Sequence, residues 1–410
     1  MKPLINNSKQ IILNIGTGKF YLHQTAESLS ELGLLAATVS GMTKMPQFLE
    51  FSKVGKLSKM SRVLSRMGPL NPTVKQIQVI SGDLCWQFGT IFGRFRMLKP
   101  LSKTLYFFSA WRFDRAAQKV LRSHLGSPDY IYHFRSGFGG KSVQLAKMHG
   151  IPTICDHSIS HPNYDWWTKE SLAKKSKGFF NLERLILNDL NNSDYLIVNS
   201  TFVADTFRIC GDYRKLFVMT PPIDKKFVDM IDVNKVFERN GVTFVGKCEF
   251  RKGIDILTEI VLSLPSDIPV RIIGNWSPEA ISFRSHLQKY SNIQLIPYLS
   301  ASEIASILKE SLIFLFPSRA EGSARVVGEA MHSGCIPLIT IESGLPVNSD
   351  AGYLINELQP KEIAKLITSI IYDKEKHLAK SFAARKAILG IERSYLPDLL
   401  KLYVEVSQRG

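Results

Sequence analysis

The chain has 410 residues, of which 45% are hydrophobic and 21% are charged. This composition is typical of a packed globular protein with room for two α/β domains. No apolar run approaches the ~18 residues of a membrane-spanning helix, and the polar first ten residues do not suggest a secretory signal. The five cysteines are scattered without metal-ligand spacing, so we expect an intracellular chain with reduced thiols.

The net charge of +16 is unevenly distributed. Residues 1–230 hold 31 Lys and Arg against 16 Asp and Glu, whereas residues 231–410 hold 21 against 20. A basic surface on the first half predicts an anionic partner there, such as acidic lipid head groups, a phosphorylated glycolipid or nucleic acid. Nucleic acid is the least favoured of these, because the sequence shows no nucleic-acid-binding motif.

The first predicted elements are a strand over residues 11–15 and a helix over residues 21–32. Gly16 and Gly18 lie in the turn between them. Such a turn can bring the backbone close to a phosphate, but it lacks the full P-loop and dinucleotide fingerprints. A glycine turn without a ligand therefore stays an equal alternative.

Two segments combine apolar and basic residues. Residues 51–67 follow helical spacing with lysines and arginines between the apolar positions, and residues 86–122 add many aromatic side chains. This pattern favours a membrane interface, although ordinary core packing with solvated charges is the alternative. The basic residues that we expect at a membrane or acceptor surface are Lys53, Lys56, Lys59, Arg62, Arg94 and Arg96.

The end of the first half holds a candidate catalytic group. A buried strand over residues 153–155 leads into Asp156 and His157, and acidic and imidazole side chains at the end of a strand are typical of an active site. For His161, which follows in the same segment, a structural role fits as well as a functional one. We predict that residues 194–202 form the last strand of this half and the start of a helix, followed by a linker at about 220–240.

The second half contains the strongest pattern. The apolar run 312–316 predicts a strand buried on both faces of a parallel sheet, and residues 324–332 predict a helix that ends near Gly334. Glu321 then lies in a strand-to-helix loop at the carboxyl edge of the sheet, where open α/β sheets bind ligands. Glu329 lies two turns along the helix. A helix start suits a phosphate and carboxylates suit sugar hydroxyls, so a nucleotide-sugar fits this pattern.

These residues carry a family resemblance. Glu321 and Glu329, with seven residues between them, resemble the signature of the family-four (group 1) retaining glycosyltransferases, which have the GT-B fold. The segment 244–257 resembles the first strand, basic loop and helix of that family's second domain. Segments 271–274, 330–337, 344–346 and 350–355 continue the resemblance, which is strong over residues 242–370.

The resemblance implies a role for each matching residue. Asp156, His157 and Glu321 would face the donor sugar and the acceptor as catalytic residues. Glu329 would bind the ribose, and Tyr298 and Leu299 would lie at the base. The full set of implied donor-binding residues is Gly16, Gly18, Gly246, Lys247, Arg251, Lys252, Gly274, Tyr298, Leu299, Gly322, Ser323, Ala324, Arg325 and Glu329. The chain departs from the family pattern at Pro222, Lys247 and Ser323.

The resemblance also implies the domain organisation. We expect an acceptor-binding Rossmann-like domain over residues 1–225, a nucleotide-sugar-binding domain over 226–390, and a helix over 391–410 that crosses back. Cationic side chains can stabilise the leaving diphosphate, so we expect no metal or other cofactor, and a UDP- or GDP-sugar as donor.

We therefore predict a glycosyltransferase of bacterial surface glycan or glycolipid synthesis. It would act on a lipid-linked or anionic glycan acceptor, be cytoplasmic, and lie peripherally on an anionic membrane. The main alternative is a catalytically inactive nucleotide-sugar-binding partner in a glycan assembly complex. A sugar-nucleotide epimerase with the same fold is a further alternative.

Overall fold

The computed structural model describes residues 9–18, 21–42, 75–93, 95–125, 129–164, 180–211, 213, 215–223 and 238–409. In this part of the chain the strands form two parallel sheets with helices packed against them. This architecture confirms the predicted α/β class with two Rossmann-like units.

The first sheet has seven strands in the order β3-β2-β1-β4-β5-β6-β7. Its strands are β1 (Gln10–Gly16), β2 (Leu35–Ser40), β3 (Gln76–Gln78), β4 (Tyr130–Arg135), β5 (Thr153–His157), β6 (Tyr195–Val198) and β7 (Leu216–Val218). The helices of this half are α1 (Leu22–Glu31), α2 (Ile80–Phe92), α3 (Lys99–Arg122), α4 (Gly140–Met148), α5 (Phe180–Asn192) and α6 (Thr201–Cys210). The central strands are fully buried, as expected for a parallel sheet covered on both faces.

The second sheet has six strands in the order β10-β9-β8-β11-β12-β13. Its strands are β8 (Val242–Val245), β9 (Val270–Ile273), β10 (Ile293–Ile296), β11 (Ile313–Phe316), β12 (Ile336–Ile339) and β13 (Tyr353–Leu354). The helices are α7 (Ile254–Leu262), α8 (Ile281–Leu287), α9 (Ala301–Glu310), α10 (Arg325–His332), α11 (Pro360–Tyr372) and α12 (Lys374–Arg409).

The two sheets share one strand order. In each, the chain builds outward in one direction for three strands and then reverses, so that β1 lies beside β4 and β8 lies beside β11. Ligands of open α/β sheets bind at this switch point, outside the carboxyl ends of the strands. A ligand at either switch point would therefore contact the loops after β1 and β4 or those after β8 and β11.

Two sequence-based element assignments need correction. The strand over 195–198 is not the last of the first sheet, because the short and partly exposed β7 follows it. The terminal helix, which the sequence predicts over residues 391–410, begins earlier, because α12 starts at Lys374 and continues for 36 residues.

Helix α12 packs on both units. Its first part places Ala384 and Ile388 in the core of the second unit. Its last part places Leu399, Leu402 and Tyr403 in the core on one face of the first sheet. A single helix therefore joins the two hydrophobic cores.

Candidate functional site

The loop after β8 carries a cluster of cations. Residues Phe250–Lys252 form a short 3-10 helix that ends at Gly253, whose φ of 69° is left-handed. A Cβ atom on Gly253 would lie 1.9 Å from the Pro317 carbonyl oxygen, so only glycine lets this loop approach the loop after β11 so closely. The cationic loop and the Glu321 loop therefore meet at the switch point of the second sheet.

Glu321 contacts two of these cations directly. Its Oε1 atom accepts hydrogen bonds from Arg251 Nη1 and Lys252 Nζ, each at 2.8 Å. The side chains of Glu321 and Lys252 are each 14% exposed, and the Lys252 ammonium lies 4.8 Å from the centre of the Phe316 ring. A hydrogen-bonded ion pair in such a sheltered place fixes both partners in position.

Glu249 is a member of the cluster that sequence reasoning missed. Its carboxylate accepts from Lys247 Nζ and from Arg251 Nε, the latter at 3.2 Å. Burial opposes ionisation of Glu249, but Lys247 and Arg251 outweigh it and hold its pKa below the usual value. Three cations thus face two carboxylates, and this cluster carries a net charge of +1 close to the loops that would hold a diphosphate.

A second ion pair joins the loop after β11 to the start of α7. Arg319 donates from Nη1 and Nη2 to the two carboxylate oxygens of Asp255, at 2.8 and 2.7 Å. The backbone N–H of Arg319 also donates to the Arg251 carbonyl at 2.9 Å. This two-pronged geometry is the most specific form of an Arg–carboxylate pair, and it ties the Glu321 loop to the start of α7.

The loop after Glu321 reaches the first unit. A Cβ atom on Gly322 would lie 1.6 Å from the Ser158 carbonyl oxygen, and one on Gly344 would lie 3.0 Å from Ser200 Oγ. Ser158 follows β5 and Ser200 follows β6 in the first sheet. The carboxyl edges of the two sheets therefore touch through backbone at Gly322.

Two backbone amides near the start of α10 bind carbonyls of the loop after β12. The backbone N–H of Ala324 donates to the Ser343 carbonyl, and that of Glu321 donates to the Glu342 carbonyl, both at 2.9 Å. Both amides are therefore engaged within the protein. Ser323, Arg325 and Glu329 are half-buried, and Glu329 lies on α10 one turn after Arg325.

His157 and Asp156 point in opposite directions, because successive side chains of a strand alternate between the faces of a sheet. His157 Nε2 lies 3.3 Å from the Ser160 carbonyl, and Nδ1 lies 2.8 Å from Ser136 Oγ. A carbonyl only accepts, so Nε2 carries the proton and Nδ1 accepts from the hydroxyl. Burial lowers the pKa of His157 to about 4, which keeps the ring neutral at pH 7.

Asp156 requires a correction. Its side chain is 1% exposed and lies inside the first unit, where it accepts a hydrogen bond from the Tyr21 hydroxyl. His133 Nε2 lies 3.7 Å from its other oxygen, and His133 Nδ1 lies 2.7 Å from the hydroxyl of Tyr403 on α12. Asp156 thus belongs to a buried network beneath the sheet edge, which differs from the expected catalytic position facing a sugar.

The glycine turn after β1 has a packing role that the sequence did not reveal. Gly16 has a φ of 72°, and a Cβ there would lie 2.5 Å from the Phe138 ring. Gly18 has a φ of 74° and open space around it. Arg135, which sequence reasoning also missed, ends β4 and donates from Nη1 to the Thr17 carbonyl at 3.0 Å. Its position at the carboxyl end of a central strand was the available signal.

The remaining predicted donor residues lie along the carboxyl edge of the second sheet. A Cβ on Gly274 would lie 1.8 Å from the Gly246 carbonyl oxygen, so these glycines let the ends of β8 and β9 approach each other. Tyr298 is exposed and Leu299 is half-buried, and both follow β10.

Most of the predicted membrane or acceptor residues lie outside the described residues. These are Lys53, Lys56, Lys59, Arg62 and Arg94. Arg96 begins a 3-10 helix, Arg96–Leu98. None of the helices within the described ranges combines the length and the apolar character that a membrane span needs. His161 makes two hydrogen bonds within the protein. Its Nδ1 atom accepts from the backbone N–H of Asn163 at 3.1 Å, and its Nε2 atom lies 2.8 Å from the Tyr213 hydroxyl, so both ring nitrogens are engaged.

In the part of the chain that the structure describes, no group of three or more His, Cys, Asp and Glu side chains could hold a metal ion.

The second unit is similar in sequence to known glycosyltransferases. Residues 229–387 match the family model of the group 1 glycosyl transferases. That segment contains the whole cationic cluster, Glu321 and Glu329, and it makes up the second unit apart from the end of α12.

Two curated relatives carry glycosyltransferase names. An uncharacterised glycosyltransferase of Methanocaldococcus jannaschii is 26% identical over 168 residues, covering 37% of this chain and 46% of that protein. The capsular polysaccharide biosynthesis glycosyltransferase CapH of Staphylococcus aureus is 26% identical over 167 residues, covering 37% of this chain and 45% of CapH. The matches thus span about half the length of these relatives.

A solved structure extends the likeness to the whole chain. HepE of Anabaena, crystallised with UDP and glucose, has a TM-score of 0.57 at 14% identity and covers 95% of this chain and 99% of its own. At this identity the likeness concerns the fold. Together with the two sheets of the same strand order, it confirms the GT-B fold.

Proposed function

We propose that this protein is a group 1 glycosyltransferase that moves a sugar from a nucleoside diphosphate sugar to a glycan acceptor. The observation that carries the proposal is the direct contact of Glu321 with Arg251 and Lys252 at the switch point of the second sheet. These three residues lie within the segment that matches the group 1 model.

The charge of the leaving group explains the cluster. Cleavage of a glycosyl–phosphate bond leaves a nucleoside diphosphate with additional negative charge, and fixed positive groups aimed at that charge accelerate the reaction. Lys252 and Arg251 are held in place by Glu321, Glu249 and the Arg319–Asp255 pair. In this proposal Lys252 and Arg251 bind the diphosphate, and the reaction needs no metal.

The other proposed donor contacts follow from where the residues lie along the carboxyl edge of the second sheet. Glu321 accepts from hydroxyls of the donor sugar, and Glu329 accepts from the ribose. Tyr298 and Leu299 hold the base, because they follow β10 on the same edge of the sheet. Transfer with retention of anomeric configuration is part of the proposal.

His157 completes the site on the first unit. It lies between Ser136 and Ser160, and the loop that follows it meets Gly322 across the cleft. Because its Nε2 carries a proton at neutral pH, His157 can donate a hydrogen bond to a sugar hydroxyl after a small shift away from the Ser160 carbonyl.

In this proposal the acceptor binds to the first unit. Its excess of basic residues favours a lipid-linked or anionic glycan acceptor at a membrane surface. The likeness to CapH, named for capsular polysaccharide biosynthesis, supports a role in bacterial surface glycan synthesis. A location at the cytoplasmic face of the membrane is part of the proposal.

A thermal-shift panel of nucleoside diphosphates and their sugars tests the donor site. A ligand that binds only the folded protein raises its Tm, by an amount equivalent to about 2.7 kcal/mol at 100 times Kd. We expect UDP or GDP and the matching sugar nucleotides to raise Tm, and Lys289→Ala, an exposed change elsewhere in the second unit, to preserve the shift. Absence of a shift with every nucleotide would remove the donor site.

A turnover assay then separates an enzyme from a binding partner. We expect release of the nucleoside diphosphate only when donor and acceptor are both present, with activity unchanged by EDTA. Proton NMR of the first product reports the anomeric configuration. Binding of nucleotide without any turnover, across a range of lipid-linked acceptors, would favour the inactive partner.

A further inference from the structure

Helices α2 and α3 form a hairpin with an unusual outer surface. Among the described residues, nine of the 21 large apolar side chains that are exposed lie between residues 88 and 111. They include Phe88, Phe95, Met97, Phe107, Phe108 and Trp111. Met97 is 92% exposed, and Phe95 is 57% exposed. Exposed apolar side chains are ordinary when scattered, but a contiguous patch marks an interaction site.

The hairpin is rigidly built, so this exposure does not come from loose packing. Ser102 Oγ donates to the Gly89 carbonyl at 2.7 Å, and the rings of Trp86 and Tyr106 lie 4.7 Å apart. The opposite side of α3 is buried, with Phe113 and Leu121 in the core of the first unit. The apolar tip is thus held outward by a helix that is anchored along its other face.

The charges of α3 are arranged along its length. The helix contains Lys99, Lys103, Arg112, Arg115, Lys119 and Arg122, and its acidic residue is Asp114. Asp114 is engaged inside the protein, because its oxygens accept from the Ser142 amide at 2.7 Å and from Gln118 at 2.8 Å. The charged side chains on the outside of the helix are therefore cationic, and they are densest beyond the aromatic tip.

A basic cavity lies beside the aromatic surface. It has a volume of about 990 Å³, and its lining includes Arg112, Arg115, Lys119, Arg122 and Lys141 together with the hydrogen-bonded carboxyl of Asp114, at the carboxyl end of β3. Trp111 borders this cavity as well as the aromatic groove of Phe107 and Phe108. The Arg115 guanidinium lies 5.3 Å from the centre of the Trp111 ring. Cations and aromatic rings thus form one continuous surface.

We propose that this surface docks the protein on an anionic phospholipid membrane, with the hairpin tip in the interface and phosphate head groups in the basic cavity. An apolar tip with a cationic surround matches the chemistry of a lipid leaflet, in which an acyl layer lies beneath charged phosphates. A nucleic acid would engage the cations but would leave Met97 and Phe95 without a partner. The inference rests on the proposed function only in placing the acceptor at a membrane.

Vesicle co-sedimentation tests the docking surface with the full chain. Vesicles of phosphatidylcholine alone are compared with vesicles that also contain phosphatidylglycerol, at low and at high salt. Three double variants are compared with the wild type: Phe95→Ser with Met97→Ser, Arg115→Glu with Lys119→Glu, and Lys361→Glu with Lys365→Glu. The last pair lies on the exposed side of α11 and is the matched control.

The expected results differ between variants. The wild type binds the anionic vesicles, and the charge variant binds at least about 25-fold more weakly, since each cation near the surface contributes about fivefold. The tip variant binds the vesicles about tenfold more weakly or worse, and it loses mainly the apolar binding that persists at high salt. The control binds as the wild type does. Equal binding by all four proteins, equal binding to both vesicle types, or no binding would overturn the proposal.

Nucleotide thermal shifts on the same proteins keep the two proposals apart. We expect all four to show the shift of the wild type, because the changes lie away from the cationic cluster of the second unit. A retained shift without vesicle binding contradicts membrane docking alone. Vesicle binding without any nucleotide shift contradicts the donor site alone.

Discussion

At the scale of single residues, the candidate site is a balance between cations and carboxylates. Arg251 and Lys252 share one oxygen of Glu321, and Arg251 also contacts Glu249. Each carboxylate holds a cation in place and at the same time reduces the positive potential that a diphosphate would meet. Removing a cation and removing a carboxylate should therefore have opposite effects on nucleotide affinity.

Replacing Lys252 removes part of the positive charge aimed at the leaving group. We expect Lys252→Ala to lower kcat by about 10²–10³-fold, as loss of a single preorganised electrostatic contact does, and to weaken nucleoside diphosphate binding. The fold is retained, because Arg251 still pairs with Glu321. Steady-state kinetics measure the effect, with Lys289→Ala as control. Wild-type kcat in Lys252→Ala would contradict the role of Lys252.

Replacing Glu321 should separate binding from transfer. We expect Glu321→Gln to lose transfer while nucleoside diphosphate binds as tightly as before or more tightly, since the two cations lose a competing anion. Calorimetric titration gives the affinity and the turnover assay gives the rate. Weaker nucleotide binding combined with normal transfer would show that Glu321 does not face the donor sugar.

At the scale of elements, loops from the two sheets meet where no side chain fits. Gly322 approaches the Ser158 carbonyl so closely that a methyl group would force the loops apart. We expect Gly322→Ala to lower kcat while leaving nucleotide affinity nearly unchanged, because the change acts between the two units. Gly390→Ala is the matched control, because a Cβ at Gly390 would meet nothing within 4 Å and alanine favours a helix interior. Equal kcat in both variants would contradict this expectation.

The start of α4 depends on a buried carboxylate from another helix. Asp189 on α5 accepts hydrogen bonds from the amides of Gly137, Gly139 and Gly140, at 2.8, 3.0 and 2.7 Å. Burial nevertheless raises the pKa of Asp189 to about 6. The folded protein therefore holds this proton more tightly than the unfolded chain, and its contribution to stability declines as pH rises from about 4 to 6.

Asp189→Asn should remove this pH dependence. The asparagine does not titrate, and its amide group cannot accept from all three N–H groups, so we expect a loss of about 1–3 kcal/mol at neutral pH. Urea unfolding from about pH 4 to about pH 7 measures both effects. A slope identical to that of the wild type between pH 4 and 6 would show that Asp189 does not cause it.

Local sequence signals predicted the elements better than the orientation of side chains. The apolar run 312–316 gave β11, and the expected loops and glycines around it lie at the predicted edge. The pairing of Glu249 with Lys247 and Arg251 depends on how the loop folds, which no local pattern specifies. Asp156 is different, because strand alternation alone implies that it and His157 face opposite sides, and the sequence-based assignment overlooked this.

At the scale of the whole molecule, α12 packs in the cores of both units, and this explains why the sequence predicts only its last part. Its apolar positions change partners along its length, from the core of the second unit at Ile388 to that of the first unit at Leu399. No single stripe of apolar residues therefore runs along all 36 residues, and Pro397, which cannot donate a backbone hydrogen bond, interrupts the helical pattern further. A sequence search for one amphipathic helix finds only its end.

Because α12 packs in the core of the first unit, we predict that a substitution on α12 destabilises that unit, although the two are far apart in the sequence. Leu402 is 2% exposed and packs in the core that includes β1 and β4. We expect Leu402→Ala to reduce the free energy of unfolding by about 2–5 kcal/mol, through lost burial and the cavity left behind. Lys401→Ala, one residue earlier and exposed, should change it by less than about 0.5 kcal/mol. Urea denaturation followed by near-ultraviolet circular dichroism measures both. If the two variants unfolded at the same urea concentration, α12 would not contribute to the stability of the first unit, and the buried contact of Tyr403 with His133 would need another explanation.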